Sequence, residues 1–216
     1  MAHRVGVLLS GCGYLDGAEI QEAVCTLLAL DEAGTEIVCM APDVELDVVD
    51  HITQESTGEK RNVLAESARI ARGEIKDVKD VSAEELDALV LPGGYGAAKN
   101  LSNFASEGTG MSVNADVEDL IRNVHAAGKP IGAICIAPSV ISKLLPGVTL
   151  TIGSDADTAG ALESMGSKHC DCPVTEFVVD GENKVVSTPA YMLGPSVSGV
   201  NQGIAGCVRE VLAMIG

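Results

Sequence analysis

Short apolar runs alternate along the sequence with segments whose apolar residues recur at a helical period. Runs such as residues 5–9, 88–91 and 130–134 are bounded by Gly or Pro, and a helical segment follows each of them. This alternation is typical of βαβ units around a parallel sheet. No linker or internal repeat interrupts it, so we predict an α/β fold with a single domain over residues 1–216.

The charge balance excludes several classes of function. The 216 residues include 14 Lys plus Arg against 31 Asp plus Glu, for a net charge of −17 and no cluster of basic residues. Nucleic acids and anionic membranes bind clustered cations, so neither is an expected partner. Aromatic residues make up 2% of the chain and Trp is missing, which argues against base-stacking platforms and aromatic ligand cages.

The cysteines indicate a reducing compartment. There are seven of them spread through the chain, an odd number in a sequence longer than the usual disulfide scaffolds. The first apolar run is too short for a signal peptide, and no segment is expected to span a membrane. We therefore expect a cytoplasmic protein, with the mitochondrial matrix as the alternative for a mature chain.

Several individual elements can be predicted. A helix is expected over residues 18–33 and another over 63–73, while the polar residues 43–61 are assigned to no element. Residues 176–179 and 184–188 flank a turn-rich link and predict a C-terminal β-hairpin. The residues of the first helix that are expected to face the core are Ile20, Val24, Leu27 and Leu28.

Cys135 stands at a predicted strand-to-helix junction, with Ala133 two positions before it and Ala137 two positions after it. Small flanking residues are typical of a nucleophile elbow, a sharp turn that holds a reactive side chain above the edge of the sheet. We expect the free amides of the following helix to lower the pKa of this thiol below its usual value of about 8.5. The alternative is that Cys135 is a small buried filler, as most free cysteines are.

Other loops are predicted to converge on this elbow, because the carboxyl ends of parallel strands lie at one edge of a sheet. The amide of Gly94 could join that of Ile136 in an oxyanion hole, although two successive glycines could simply form a tight turn. Glu19 and Glu22 lie three residues apart near the start of the first helix, so one of them can face the elbow.

These segments resemble the ThiJ/PfpI superfamily of class I glutamine amidotransferase-like proteins, and in particular its ElbB branch, also called enhancing lycopene biosynthesis protein 2. The likeness covers nearly the whole chain. It implies a flavodoxin-like three-layer sandwich, with helices on both faces of a mostly parallel sheet, and a homodimer. The residues that carry it are Pro92-Gly-Gly94, Ala-Ile-Cys135-Ile-Ala, Gly17-Ala-Glu-Ile-Gln-Glu22, and residues 9–13, 96–105 and 188–192.

The resemblance also implies roles for individual residues. Cys135 corresponds to the nucleophile, Glu22 to the acidic partner beside it, and Gly94 with Ile136 to the oxyanion amides. Many members have a His after the elbow strand, whereas residues 149–154 contain none. His169 is the remaining candidate for that position, and the alternative is that it is simply a surface or loop histidine.

Further contacts are predicted from loop position. Cys12, Tyr95 and Asn100 join His169 as expected substrate contacts, because their loops should reach the same edge of the sheet. One residue separates the cysteines in His169-Cys-Asp-Cys172, which is less than the usual zinc spacing. We predict no metal and no cofactor.

The resemblance implies a glutathione-independent glyoxalase, for which protein deglycase activity is a contested reinterpretation. Cys135 would add to the aldehyde of glyoxal or methylglyoxal, Glu22 would move a proton between the two carbons, and hydrolysis would release glycolate or lactate. One alternative is a glutamine amidotransferase-like subunit, in which Cys135 attacks glutamine. The other is a non-enzymatic thiol redox sensor or chaperone-like dimer, in which Cys135 is oxidised.

Overall fold

The computed structural model describes residues 2–194 and 196–216. The fold is built around a central sheet of seven strands. The strands of the molecule are β1 (Arg4–Leu8), β2 (Glu36–Ala41), β3 (Glu45–Val49), β4 (Ser56–Asn62), β5 (Lys76–Asp77), β6 (Ala88–Leu91), β7 (Ile131–Ile134), β8 (Thr149–Leu150), β9 (Lys168–His169), β10 (Val178–Asp180) and β11 (Val185–Thr188). The order in the central sheet is β10-β11-β7-β6-β1-β2-β5, and β3-β4 and β8-β9 form separate pairs.

Helices cover both faces of this sheet. Residues of α5, α6 and α7 pack with one face, whereas residues of α1, α2 and α8 pack with the other. The predicted α/β sandwich with helices on both faces is therefore confirmed. The helices are α1 (Ile20–Glu32), α2 (Val63–Ile70), α3 (Tyr95–Lys99), α4 (Phe104–Glu107), α5 (Ala115–Ala126), α6 (Pro138–Leu144), α7 (Ala156–Ser164) and α8 (Val197–Ala213).

The central strands are short apolar runs that are buried on both faces, as parallel strands require. Every residue of β6 and β7 is buried, and β1, β6, β7 and β11 pair in parallel. The predicted C-terminal hairpin is confirmed, because β10 pairs antiparallel with β11. Since β11 is also a parallel neighbour of β7, its carboxyl end lies at the same edge of the sheet as the end of β7.

Two local predictions need correction. Residues 43–61, to which no element was assigned, contain most of the antiparallel pair β3-β4. All residues of β4 are exposed or half-buried, so this strand lacks the apolar alternation that reveals a strand in a sequence.

The prediction of which face of α1 is buried is also wrong. Ile20, Val24 and Leu28 are 44%, 51% and 47% exposed, and Leu27 is partly buried. The residues that α1 buries include Glu22, Ala23, Cys25, Thr26 and Leu30. The exposed residues and the buried residues of α1 each recur at a helical period. The prediction followed the larger apolar side chains, which are the exposed ones. The helix packs against α8 through the stripe of mostly smaller residues, which also buries Glu22.

Candidate active site

Cys135 occupies a strained turn between β7 and α6. Its φ of 61° lies in the left-handed region, which is costly for a residue with a side chain. Its N–H donates to the carbonyl of Thr188 at the end of β11, over 2.9 Å. Pro138 begins α6 at a position where its missing N–H has no helical partner. The turn leaves Cys135 7% exposed, among the residues that line a cavity.

The carboxyl group of Glu22 lies beside this thiol and is fully buried. Its Oε2 accepts from the N–H of Gly93 over 2.9 Å, and its Oε1 accepts from the N–H of Tyr191 over 3.1 Å. Burial raises its pKa from 4.5 to about 8, against the opposing effects of the hydrogen bonds from Tyr191, Cys135 and Gly93. At neutral pH most molecules therefore carry a protonated Glu22.

The thiol itself is not activated in the resting protein, so the prediction of a lowered pKa is wrong. Burial first, and then the nearby charge of Glu22, raise the pKa of Cys135 well above its usual value. The amides of Gly94 and Ile136 donate to the sulfur and favour the thiolate. They do not outweigh burial, a cost that the sequence reasoning left out.

The two glycines after β6 allow these groups to approach one another. A Cβ on Gly93 would collide with the Cβ of Cys135 and lie 2.8 Å from Oε2 of Glu22. Gly94 has a φ of 94°, and a Cβ there would collide with the backbone of Gly17 and Glu19. Both positions therefore require glycine for close packing, beyond the needs of a tight turn.

The cavity above Cys135 has a volume of about 510 Å³. Four of the five aromatic residues of the chain line it, although aromatic residues make up only 2% of the sequence. These rings belong to Tyr14, Tyr95, Phe104 and Tyr191. The other lining residues are Glu19, Gly94, Ala98, Ala105, Cys135, Ile136, Thr158 and Met192.

Of the four predicted substrate contacts, the structure brings only Tyr95 to this cavity. Cys12 lines a separate cavity of about 380 Å³. Asn100 donates both of its amide hydrogens, to the carbonyls of Ser10 and Asp16, and so ties two turns of one loop together.

His169 is likewise absent from the lining of the cavity. Its Nε2 accepts from the N–H of Ile152 over 3.3 Å, and its side chain is 5% exposed. His169 therefore accepts a backbone hydrogen bond away from the cavity. It does not take the place of the His that many superfamily members have at the site.

Sequence reasoning missed the segment after β11. Ala190 has a φ of 42°, and this turn directs the N–H of Tyr191 onto Glu22. The signal in the sequence is Pro189-Ala-Tyr191, which directly follows the buried strand β11. A hairpin alone does not place this segment near Cys135; the parallel pairing of β11 with β7 does.

Within the described ranges, no cluster of three or more His, Cys, Asp or Glu side chains is arranged to hold a metal. None of the helices described is both long enough and apolar enough to cross a membrane.

An α/β sandwich that presents a cysteine on a strained strand-to-helix turn is consistent with the class I glutamine amidotransferase-like superfamily. The model of the DJ-1/PfpI family matches residues 12–191. The chain belongs to that family.

Relatives with high identity extend over the whole chain. It is 48% identical to glutamine amidotransferase-like class 1 domain-containing protein 3, mitochondrial, from Homo sapiens, with 100% of this chain and 84% of that protein covered. It is 46% identical to ES1 protein homolog, mitochondrial, from Rattus norvegicus, with 99% and 84% covered. An isoprenoid biosynthesis protein with amidotransferase-like domain from Ehrlichia chaffeensis has a crystal structure that matches with a TM-score of 0.93, 41% identity and 100% coverage of both chains.

Proposed function

We propose that the chain is a glutathione-independent glyoxalase that converts a 2-oxoaldehyde and water into a 2-hydroxy acid. The observation that carries this proposal is the hydrogen-bonded pair of Cys135 and Glu22 at one side of a cavity. It unites a nucleophile with an acid–base group whose pKa, about 8, is close to the working range of an enzyme.

The first step is addition of the Cys135 sulfur to the aldehyde carbon. The ionised form of Glu22 takes the proton of the thiol as the carbon–sulfur bond forms, so that no free thiolate accumulates. The negative charge passes to the aldehyde oxygen, where the amides of Gly94 and Ile136 can donate to it. Protonation of that oxygen gives a hemithioacetal.

The next steps move hydrogen within the substrate. Glu22 removes the proton from the former aldehyde carbon, the ketone oxygen takes up a proton, and an enediol forms. The neighbouring carbon then takes a proton while the hydroxyl on the sulfur-bearing carbon loses one, which gives a thioester of the 2-hydroxy acid. Water cleaves the thioester and regenerates the thiol. One carbon is oxidised and its neighbour is reduced, so the reaction needs no external oxidant or cofactor.

Two features argue against the alternative functions. Glutamine hydrolysis needs an acid for the departing amine, and among the described residues no His lines the cavity. A redox sensor needs an easily ionised thiol, whereas burial raises the pKa of Cys135.

A kinetic panel tests the proposal. Glyoxal, methylglyoxal and glutamine are offered to the purified protein and to the Cys135→Ala and Glu22→Gln variants, in the absence of other amines and thiols. We expect formation of glycolate and lactate by the original chain and loss of turnover in both variants. A Cys135→Ala variant that keeps most of its rate would falsify the mechanism, and ammonia release from glutamine would favour amidotransfer.

The comparisons support further parts of the proposal. The Ehrlichia chaffeensis relative is named as an isoprenoid biosynthesis protein, which supports placement of the chain in the ElbB branch. Of the two expected compartments, the mitochondrial names of the human and rat relatives favour the mitochondrial matrix. We also retain a homodimer as part of this proposal.

A further inference from the structure

The aromatic residues of this chain are concentrated at one place. The sequence contains three Tyr and two Phe, and the cavity of Cys135 is lined by Tyr14, Tyr95, Tyr191 and Phe104. The fifth aromatic residue, Phe177, packs near Gly206 of α8, outside this cavity. In a chain whose buried core is built mainly from aliphatic side chains, rings gathered at the site provide flat apolar surfaces for a bound molecule.

The cavity is much larger than the smallest dicarbonyls require. Its volume of about 510 Å³ falls within the range of about 300 to 1,000 Å³ that is usual for pockets holding drug-sized ligands. Bound glyoxal would leave most of this space to water. A substrate with an apolar group beyond the reacting carbons would fill it and bury the rings.

The charges at the cavity select against anions. Glu19 lines it, whereas no Lys, Arg or His lines it in the described part of the chain. Lys99 lies over the ring of Tyr95, with its Nζ 5.3 Å from the ring centroid, and donates to the carbonyl of Leu15. No lining cation is therefore available to pair with a carboxylate or phosphate on the substrate.

We propose that the preferred substrates are uncharged 2-oxoaldehydes whose ketone carbon bears an aromatic or branched apolar group. This inference rests on the proposed glyoxalase function and names its substrate class. Phenylglyoxal represents the class: with one water it gives mandelate and a proton, as its aldehyde carbon is oxidised to a carboxyl and its ketone carbon is reduced to an alcohol. The anionic product is repelled by Glu19, which favours its release.

Phe104 and Tyr95 are the specificity-determining residues of this proposal. Phe104 begins α4 and is half-buried, while Tyr95 begins α3 and is 51% exposed. Their side chains line the cavity together with Ile136. An apolar substituent of a substrate held on Cys135 can reach them.

The first experiment compares kcat/KM for phenylglyoxal and glyoxal. We expect the ratio to favour phenylglyoxal by about tenfold or more, since stacking on aromatic rings is worth roughly a tenfold change in affinity. Phe104→Ala and Tyr95→Leu should each lower this ratio several-fold. Phe177→Ala removes an aromatic ring outside the cavity and should leave the ratio unchanged.

The second experiment measures binding without chemistry. Benzamide and benzoate have nearly the same shape and differ in charge, and their affinities for the Cys135→Ala variant are measured by calorimetry. We expect benzoate to bind about tenfold more weakly than benzamide. Addition of Glu19→Gln to the Cys135→Ala variant should reduce this difference in affinity. Addition of Phe104→Ala to the Cys135→Ala variant should weaken the binding of benzamide.

The two experiments separate failure of this inference from failure of the proposed function. Glyoxal turned over as well as phenylglyoxal, or benzoate bound as tightly as benzamide, overturns the inference and leaves a glyoxalase. Selective binding of benzamide with no turnover of any aldehyde supports the site's preference for uncharged apolar molecules and overturns the glyoxalase mechanism.

Discussion

Glu22 and Cys135 form a hydrogen-bonded pair in which burial raises the pKa of both groups. The carboxyl group and the thiol therefore both hold their protons in most molecules at neutral pH. Loss of one proton from the pair creates a base beside the nucleophile. The reactive form is thus a minority species whose population grows with pH.

The pH dependence of turnover follows from this pair. We expect kcat/KM for glyoxal to rise with pH up to about 8 and to level off above it, because only ionised Glu22 can take the proton of the thiol. The measurement is a pH profile at constant ionic strength. A profile that is flat between about pH 6 and 9 would contradict the role of Glu22 as the base.

The same carboxyl group links stability to pH. Its pKa is raised from 4.5 to about 8 in the folded state, so the folded chain keeps a proton that the unfolded chain releases, and stability falls as the pH rises through this window. We expect Glu22→Gln to remove this dependence, on the order of 3 kcal/mol between about pH 5 and 8.

Urea unfolding at several pH values measures this effect as the difference between the two proteins. Any constant cost of the substitution, such as an amide facing an N–H, does not vary with pH. Parallel stability curves for the variant and the original chain would show that Glu22 is not buried in its acid form.

Gly93 offers a steric test of the site. We expect Gly93→Ala to lower turnover by roughly 100-fold, because the new methyl group would push Cys135 away from Glu22 and small displacements of catalytic groups are costly. The matched control is Gly160→Ala in α7, where a Cβ meets nothing within 4 Å. The control should keep full activity, and an active Gly93→Ala variant would argue against the close pairing.

The exposed side of α1 predicts how the chain assembles. Ile20, Val24 and Leu28 form a stripe of large apolar side chains that are each nearly half exposed or more, and such stripes often mark interfaces. If the expected homodimer buries this stripe, Val24→Glu should dissociate it, as measured by sedimentation velocity. Ile52→Glu is the control, because Ile52 is 93% exposed in the β3-β4 turn. A monomeric original chain would refute the expected dimer.

Much of the fold could be predicted because its central strands are apolar on both faces. Short, continuous apolar runs such as β6 and β7 are typical of central strands in a parallel sheet. The face of α1 could not be predicted in this way, since two apolar stripes compete and only the packing against α8 decides between them. The β3-β4 pair escaped because its second strand is polar throughout.

The site was predicted where it depends on local sequence. The small neighbours of Cys135 indicated the turn, and the position of Glu22 in the first turn of α1 allowed it to face the thiol. The state of the thiol was not predictable, because the pKa depends on burial by distant segments. The full aromatic lining of the cavity was equally hidden, since Phe104 and Tyr191 are far apart in the chain and meet only through the fold.

The concentration of rings around Cys135 has a practical consequence. The chain has no Trp, and all of its Tyr residues line this single cavity. Its intrinsic ultraviolet emission therefore originates at the site itself. A molecule that enters the cavity alters the surroundings of every emitting phenol, so occupancy can be followed by fluorescence without any attached dye.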